Sequence, residues 1–443
     1  MTTNFSFMKT HIINILTHEP DYRFLHDKDR PPVNWDTSEG NWVGIYRNEI
    51  PDKLGEEVLK YSDDFVYEVW QPDYRADKVY SHQFEDGLIH RLFPAQHINE
   101  YYGIKKRKQL DAPAILQYLQ QFQNEHDVIL NLNGDLCRLN YQLLAAAANL
   151  PILYTFRGTL HLPNSMIFRP RLNLPASFTY FLRYLKARKL MPKADYVTYM
   201  NDLYLDDLGK LYRGPKAKLT SGCDFSFWKK TSKSEARKAL DIAEDIPVFF
   251  TSSLLIPIKQ VDKVIEIFDE LARKYDFLLM ISGHGTEAYE AKLNEKAKTL
   301  LKQEKVRFTG YLTGELLRNH YNASDLFINA SVSEGGPASA MKAAACETPI
   351  FSTNVGNVAE RMASRNAGII CDIQDYDAWK EAFRQVLEGD GVKTIDRQIA
   401  YEHYDWQQLA AQFTHIYQYL EERYYGSKDI SNAQDKKSEI QQD

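Results

Sequence analysis

Several features that would point to particular classes of protein are scarce in this sequence of 443 residues. Its four cysteines (Cys137, Cys223, Cys346 and Cys371) show no CxxC spacing, which argues against a disulfide framework or a zinc site. A formal net charge of -6 gives no positive field for nucleic acid. No run approaches the ~20 apolar residues of a membrane-spanning helix, and Met1–Thr10 does not resemble a signal peptide. We therefore expect a cytoplasmic protein.

The composition, 44% hydrophobic and 26% charged, is that of a folded globular protein whose length suits two domains. We predict an N-terminal domain over 1–220, a second domain over 221–403, a final helical segment over 404–426 and a disordered polar tail over 427–443. A long irregular loop is expected between Asp27 and Asn48.

In the second half, short apolar runs alternate regularly with helical patterns. The predicted strands are Val248–Thr251, Phe277–Ser282, Val306–Thr309, Leu326–Asn329 and Pro349–Thr353, and the helices are Val261–Ala272, 287–303, 314–323 and Ala338–Cys346. Continuous apolar strands separated by helices indicate a parallel sheet covered on both faces, a doubly wound α/β domain. The first half repeats this rhythm more loosely, with strands at Ile12–Leu16, Phe65–Trp70, Leu88–Phe93, Val128–Asn131, Ile152–Phe156 and Tyr196–Tyr199 and helices near 111–123, 140–149, 174–190 and 202–212.

Ligands of doubly wound sheets bind beyond the carboxyl ends of the strands, so we expect the site residues in the loops that follow the strands. In the loop from Ser331 to Ala338, Gly335 and Gly336 allow a close approach of the backbone, and Pro337 suits a first helical turn. The positive end of the helix that follows would bind a diphosphate. Glu334 would accept hydrogen bonds from sugar hydroxyls. An ordinary strand–helix turn with a surface acid is the alternative.

Three further loops at strand ends carry candidate ligand groups. Lys259 would neutralise phosphate charge. Gly283-His284-Gly285 allows another close approach, although glycine is common in such turns. Tyr311, after Gly310, would lie beside a nucleobase.

These features together resemble a known family. Lys259, Gly283-His-Gly285, Val306–Tyr311, Ser333-Glu-Gly-Gly-Pro337, Thr348-Pro349 and Gly356…Glu360 occur in the order found in the donor domain of retaining GT-B glycosyltransferases of family four, and Ser221–Trp228 resembles the entry to that domain. The resemblance implies two Rossmann-like domains facing across a cleft, with the final helix crossing back to the first. It implies sugar transfer from a nucleotide-diphosphate donor, UDP-sugar favoured and GDP-sugar the alternative, with retention and with neither metal nor other cofactor.

In such an enzyme Glu334 would orient the donor sugar, while Lys259 and the N–H groups near Gly335–Ala338 would stabilise the departing diphosphate. Ser333 would line the same donor site. Arg157, in Thr155-Phe-Arg-Gly158, stands where many relatives carry a histidine facing the donor sugar, and is a third catalytic candidate.

Two positions depart from the family pattern. Lys342 replaces the second acid of Glu-x7-Glu, which contacts the ribose, and Leu254 replaces a basic residue. In one interpretation Lys342 and Arg157 restore the positive charge of an active, adapted donor site. In the other the chain is a degenerate scaffold or partner subunit.

The acceptor is less clearly indicated. From Arg169 to Lys193 there are seven basic residues, no acidic ones and several aromatic ones, a pattern typical either of a helix on the inner face of an anionic membrane or of a solvated helix. The first interpretation favours a glycan, glycolipid or lipid-linked acceptor and a role in surface polysaccharide synthesis. The strings Asp27-Lys-Asp29 and Asp375-Tyr-Asp377 are interpreted as loop charges and not as metal ligands. An epimerase, a phosphorylase and a glycosidase are weaker alternatives, because their catalytic groups are not recognisable.

Overall fold

The computed structural model describes residues 9–18, 50–102, 105–147, 149–157, 174–365 and 367–426. The loop at 27–48, the tail at 427–443, the pair Asp27 and Asp29, Gly158 and residues 169–173 lie outside these ranges. The described chain divides into two compact units. The first contains residues up to 199, 204–219 and 409 onward, and the second contains Met200–Leu203 and Thr220–Gln408.

The described residues of the first unit form an eight-stranded sheet. Its strands are β1 (Thr10–Ile15), β2 (Phe65–Asp73), β3 (Tyr80–Gln83), β4 (Ile89–Pro94), β7 (Val128–Asn133), β8 (Ile152–Thr155), β9 (Tyr196–Tyr199) and β10 (Lys216–Lys218), and β5 (Gln96–Tyr102) with β6 (Lys105–Asp111) forms a separate antiparallel hairpin. The order is β10-β9-β8-β7-β1-β2-β4-β3, and within this sheet, as far as it is described, only β3 runs antiparallel to its neighbour.

Helices cover this sheet. They are α1 (Ile50–Tyr61), α2 (Pro113–Phe122), α3 (Arg138–Ala146), α4 (Leu174–Leu190) and α5 (Leu205–Leu211). The buried side chains of β1, β7 and β8 form the centre of the apolar core with those of α2 and α3. The predicted strands of this half are present, but β3, β10, the hairpin and α1 were not predicted.

The second unit has a six-stranded parallel sheet with strand order β13-β12-β11-β14-β15-β16. The strands are β11 (Val248–Ser252), β12 (Leu278–Ser282), β13 (Val306–Gly310), β14 (Leu326–Asn329), β15 (Ile350–Thr353) and β16 (Ile369–Cys371). The helices are α6 (Lys233–Ala239), α7 (Val261–Leu271), α8 (Glu287–Lys296), α9 (Lys298–Lys302), α10 (Gly314–Ala323), α11 (Ala338–Ala345), α12 (Gly356–Arg365), α13 (Tyr376–Leu387) and α14 (Arg397–Tyr404). Buried apolar clusters on both faces account for the uninterrupted apolar strands that the sequence shows.

The last helix, α15 (Trp406–Tyr425), packs on the sheet of the first unit for most of its length. Tyr417 accepts a hydrogen bond from Asn131 Nδ2 at 3.1 Å, and the hydroxyl of Tyr425 donates to the carbonyl of Val128 at 2.8 Å. Asp375 caps α13 by accepting from the N–H of Ala378, so it has a structural task. None of the helices in the described ranges is both long and apolar enough to span a bilayer.

Candidate active site

In the sheet of the second unit the strand order reverses between β11 and β14. These two strands pair directly although they are far apart in sequence. At such a point the loops after the two strands diverge to opposite faces and leave a crevice at the carboxyl edge. The two loops are tied together, because the N–H of Val332 donates to the carbonyl of Ile258 at 2.8 Å and Gln260 Nε2 donates to the carbonyl of Ala330 at 3.0 Å. Hydrogen bonds therefore hold together the two loops that line the crevice.

Lys259 and Glu334 meet in this crevice as an ion pair. The Lys259 ammonium donates to Oε1 of Glu334, and the hydroxyl of Ser331 donates to the same oxygen at 2.7 Å. The two side chains keep 19% and 14% of their exposure, so both are largely withdrawn from water but remain reachable. Both of these hydrogen bonds end on Oε1, and no described side chain donates a hydrogen bond to Oε2 of Glu334, which leaves an acceptor for ligand hydroxyls.

Polar residues at the ends of β14 and β15 form hydrogen bonds next to this ion pair. The hydroxyl of Thr353 donates to the carbonyl of Ser331 at 2.6 Å, and Asn329 Nδ2 donates to the hydroxyl of Ser352 at 3.0 Å. These residues were not among the predicted site residues. The signal was present, since Asn329, Ser352 and Thr353 are buried polar residues at the ends of otherwise apolar strands.

The loop from Ser333 to Pro337 leads into α11. Pro337 is the N-cap residue and not a member of the first turn as predicted, and it offers no side-chain cap. The N–H of Ala340 donates to the carbonyl of Pro337 at 3.0 Å, whereas those of Ala338 and Ser339 receive no side-chain cap. N–H groups left open at the start of a helix are the arrangement that binds anions. Ala338, the first helical residue, is exposed.

Gly336 is needed for packing inside the loop. A Cβ at this position would lie 2.8 Å from Oγ1 of Thr220 and 2.9 Å from the Met341 methyl group. Packing inside the protein therefore favours glycine at this position, in addition to the predicted close approach of a ligand.

The carbonyl of Gly335 accepts hydrogen bonds from two donors that were not predicted. The N–H of Asn357, in the first turn of α12, donates to it at 3.0 Å, and Asn201 Nδ2 donates at 3.2 Å. Next to Asn201, the N–H of Asp202 donates to Oε1 of Glu360 at 2.7 Å. These contacts join segments distant in sequence, so no local pattern could reveal them.

The loops after β12 and β13 lie beside the loop after β11. The N–H of Gly283 donates to the carbonyl of Gly310 at 2.9 Å, and the N–H of Leu255 donates to the carbonyl of His284 at 2.8 Å. Gly283 has φ +139°, and a Cβ there would lie 1.8 Å from the carbonyl oxygen of Ser253, so only glycine fits.

Tyr311, predicted to lie beside the base, contacts a residue of the predicted glycine loop. The ring of His284, next to Gly285, stands edge-on to that of Tyr311 with 5.5 Å between the ring centroids. Tyr311 is 58% exposed. Leu254, which directly precedes Leu255, is 45% exposed, so both side chains offer surface to a ligand.

Lys342 does not extend toward Glu334. Its ammonium lies 4.8 Å from the centroid of the Trp228 ring, and burial lowers its pKa, an effect that nearby Cys223 and Cys346 oppose. The predicted contact of Lys342 with the donor is not tested by this placement and stays a prediction, but its present partner is an aromatic ring.

Arg157 belongs to the first unit, where it follows β8. Its Nε donates to Oδ1 of Asn133 at 2.8 Å, and Asn133 Nδ2 in turn donates to Oδ1 of Asn14 at 3.0 Å. Arg157 is thus anchored at the carboxyl edge of the first sheet, and its predicted role toward the donor stays a prediction.

The chain is similar to several known proteins. Residues 232–405 match the family model described as glycosyl transferases group 1. The chain is 26% identical over 249 residues to a D-inositol 3-phosphate glycosyltransferase of Corynebacterium urealyticum, a match that covers 53% of this chain and 58% of that protein. It is 24% identical over 194 residues to the N-acetyl-alpha-D-glucosaminyl L-malate synthase of Bacillus anthracis, covering 42% and 49% of the two chains. It thus spans about half the length of these relatives.

Solved structures with the same fold cover nearly the whole chain. The sucrose-phosphate synthase of Thermosynechococcus elongatus superposes with a TM-score of 0.66 at 15% identity, over 93% of this chain and 99% of that one. Anabaena Alr3699/HepE in complex with UDP gives a TM-score of 0.62 at 15% identity with the same coverage. At these identities the likeness concerns the fold.

Proposed function

Residues 232–405 belong to the glycosyl transferases group 1 family and the chain has the GT-B fold, as the sequence predicted, and from this premise we propose that the protein is a glycosyltransferase. It transfers a hexosyl group from a nucleotide-diphosphate sugar to an acceptor hydroxyl, with retention of configuration at the anomeric carbon.

The Lys259–Glu334 pair is the observation that carries this proposal. It lies at the point where the strand order reverses, next to the uncapped N-terminus of α11. A diphosphate placed against that N-terminus would receive backbone N–H groups and the Lys259 ammonium, while Oε2 of Glu334 would accept from hydroxyls of the attached sugar. Because these groups are fixed before the donor binds, they stabilise the leaving diphosphate without reorganising.

The donor nucleotide proposed is UDP, with GDP as the alternative. The support is that HepE, which shares the fold, is described in complexes with UDP and with UDP-glucose. His284 and Tyr311 offer edges and a ring face at the outer end of the crevice for the base.

The acceptor proposed is a glycan, glycolipid or lipid-linked glycan, in the synthesis of surface polysaccharide or another glycoconjugate. The support is the basic, aromatic character of residues 169–193, which would bring the enzyme to the inner face of an anionic membrane. The family match lies in the second unit and concerns the donor side, so it leaves this choice open to experiment.

Calorimetric titration with UDP, GDP and CDP tests the donor site. We expect UDP to bind wild type, and Lys259→Ala to weaken binding by roughly 1.5–3 kcal/mol, about 10- to 150-fold, because a charge-assisted contact is lost. Lys380→Ala is the matched control, since it breaks the exposed ion pair of Lys380 with Glu270. Glu270 lies in the last turn of α7, away from the carboxyl edge.

Two results would contradict the proposal. Binding of none of the three nucleotides would favour the degenerate scaffold, and equal UDP affinity of Lys259→Ala and wild type would remove Lys259 from the site. The double variant Lys259→Ala/Glu334→Gln separates loss of the cation from repulsion by an unpaired carboxylate. The anomeric configuration of the product, measured by proton NMR, tests retention.

A further inference from the structure

Helix α4 carries a row of exposed apolar side chains on its outer face. Phe178, Phe181, Leu182 and Leu185 are 62%, 44%, 50% and 45% exposed. Their spacing of three and four residues places them side by side on one face of a helix. The opposite face is fixed to the first unit, because Tyr180, Ala187 and Leu190 are buried. The apolar row is therefore not a sign of a loosely attached helix.

Positive charge continues this apolar row at the C-terminal end of α4. Arg188 and Lys189 follow Leu185 by three and four residues, so they extend the same face, and both are exposed. On the flanks, Arg183 donates to the carbonyl of Leu136 at 2.8 Å, and the Lys186 ammonium lies 4.6 Å from the ring centroid of Tyr141. No acidic residue occurs between 174 and 193, although the chain as a whole has a formal charge of -6.

A basic cavity of about 520 Å³ opens beside the last turn of α4. Its charged lining residues are Arg188, Lys210, Arg213, Arg423 and a single acid, Asp195. Asp195 accepts a hydrogen bond from the hydroxyl of Tyr424 at 2.8 Å and lies 4.0 Å from Arg423. Lys210 pairs with Asp207 at 2.7 Å, so the four cations meet two acids and about two positive charges are left over. An excess of cations in a cavity of this size matches the charge and dimensions of a phosphate-bearing headgroup.

From these observations we infer that α4 is a docking surface for an anionic lipid bilayer. The apolar row (Phe178, Phe181, Leu182 and Leu185) enters the boundary between headgroups and acyl chains, Arg188 and Lys189 lie at the phosphates, and the cavity receives one headgroup. Charge favours the bilayer over a second copy, because a symmetric contact through this surface would place Arg188 and Lys189 against their own counterparts, whereas an anionic bilayer presents many phosphates. This inference rests on the proposed membrane-side acceptor and specifies how the chain reaches it, and it does not depend on the donor site.

Topology also orients the bound unit. Helix α4 leads into β9, so its C-terminal end lies near the amino edge of the sheet and its N-terminal end near the carboxyl edge. The row runs between these edges, and Phe178 lies toward the one that carries Asn133 and Arg157. Docking through the row would bring that edge close to hydroxyls at the membrane surface.

Flotation with vesicles tests the surface on the full chain. Vesicles of 30% phosphatidylglycerol in phosphatidylcholine are expected to bind wild type, and vesicles of phosphatidylcholine alone are not. Phe178→Ser/Phe181→Ser/Leu185→Ser should abolish flotation, and Arg188→Glu/Lys189→Glu should lower the partition coefficient at least about tenfold. Binding of wild type should also weaken in about 0.5 M salt, because the attraction is screened.

Control variants carry changes of the same kind on the second unit. Leu301→Ser/Leu316→Ser removes apolar side chains that are 39% and 50% exposed, and Lys274→Glu/Lys298→Glu reverses two charges on side chains that are 74% and 62% exposed. Both should float as wild type does. UDP affinity and the thermal midpoint are measured on every variant, so a folding defect or a failed donor site is recognised separately.

Three outcomes would overturn the inference. They are no flotation of wild type with anionic vesicles, equal flotation of wild type and the Phe178 triple variant, and a wild-type dimer without lipid that becomes monomeric in that variant. The last result, measured by light scattering, would assign the surface to a second copy of the chain.

Discussion

Lys342 is the position where the family pattern and the structure give opposite expectations, so its replacement by glutamate is an informative perturbation. The resemblance implies that Lys342→Glu restores an acid that contacts the ribose and tightens nucleotide binding. In the structure the Lys342 ammonium lies over Trp228, which is only 8% exposed, and burial lowers the pKa of the lysine. A carboxylate placed there would face the same buried ring.

The expected cost has two parts. Loss of the cation–π contact removes about 0.5–2 kcal/mol, and withdrawing a carboxylate from water onto an apolar surface costs about 1–3 kcal/mol. Arg397 is not expected to pair with the new carboxylate and offset this cost. Its guanidinium already donates to the carbonyls of Phe225, Trp228 and Ala345. We therefore expect Lys342→Glu to destabilise the second unit by about 2–4 kcal/mol.

Urea unfolding followed by tryptophan fluorescence measures the midpoint and the slope for each variant. Lys342→Met is the control that keeps an apolar stem on Trp228 without the charge. It loses the cation–π contact but also the cost of burying the ammonium, so we expect it to stay within about 1 kcal/mol of wild type. UDP affinity is measured on the same samples. A Lys342→Glu variant as stable as wild type, with tighter UDP binding, would refute this reasoning and show that residue 342 turns toward the ligand.

Two further predictions concern acidic residues. Glu334→Gln should lower turnover at least about tenfold with an unchanged unfolding midpoint, because it removes a charged acceptor for the donor sugar but leaves the core intact; equal turnover would remove Glu334 from the site. Glu68 is buried, and hydrogen bonds from His11, Arg91 and Trp70 outweigh the effect of burial and lower its pKa to about 2. Its carboxylate thus stabilises the fold above pH 4.5 by roughly 3 kcal/mol, and this contribution is lost as the pH falls toward 2. Glu68→Gln should flatten the acid limb of a stability–pH profile, and an unchanged limb would contradict the assignment.

The second unit could be predicted closely from the sequence because each of its inner strands is a continuous apolar run. The strand Leu326–Asn329 and the helix 314–323 have the predicted bounds. Such runs arise where both faces of a strand are buried, and this makes the local pattern sufficient.

The hairpin of β5 and β6 shows where that reasoning fails. Lys105–Asp111 begins Lys-Lys-Arg-Lys and carries no apolar alternation, because these strands pair with each other outside the main sheet. Their stability comes from cross-strand pairing, which the sequence of one strand does not reveal. The same limit applies to Asn201 and Gly335, whose contact depends on the tertiary fold.

The Lys259–Glu334 pair bears on whether the donor site is adapted or degenerate. A largely buried ion pair adds little stability, since replacement by apolar residues of similar size is often neutral or favourable. Here the pair is additionally held by Ser331, which is fixed by Thr353, so a chain of polar groups maintains one carboxylate in one orientation. Folding alone does not require this arrangement, whereas a ligand with phosphates and hydroxyls would use both charges. The pair therefore favours a working donor site in which the departures at Leu254 and Lys342 are adaptations.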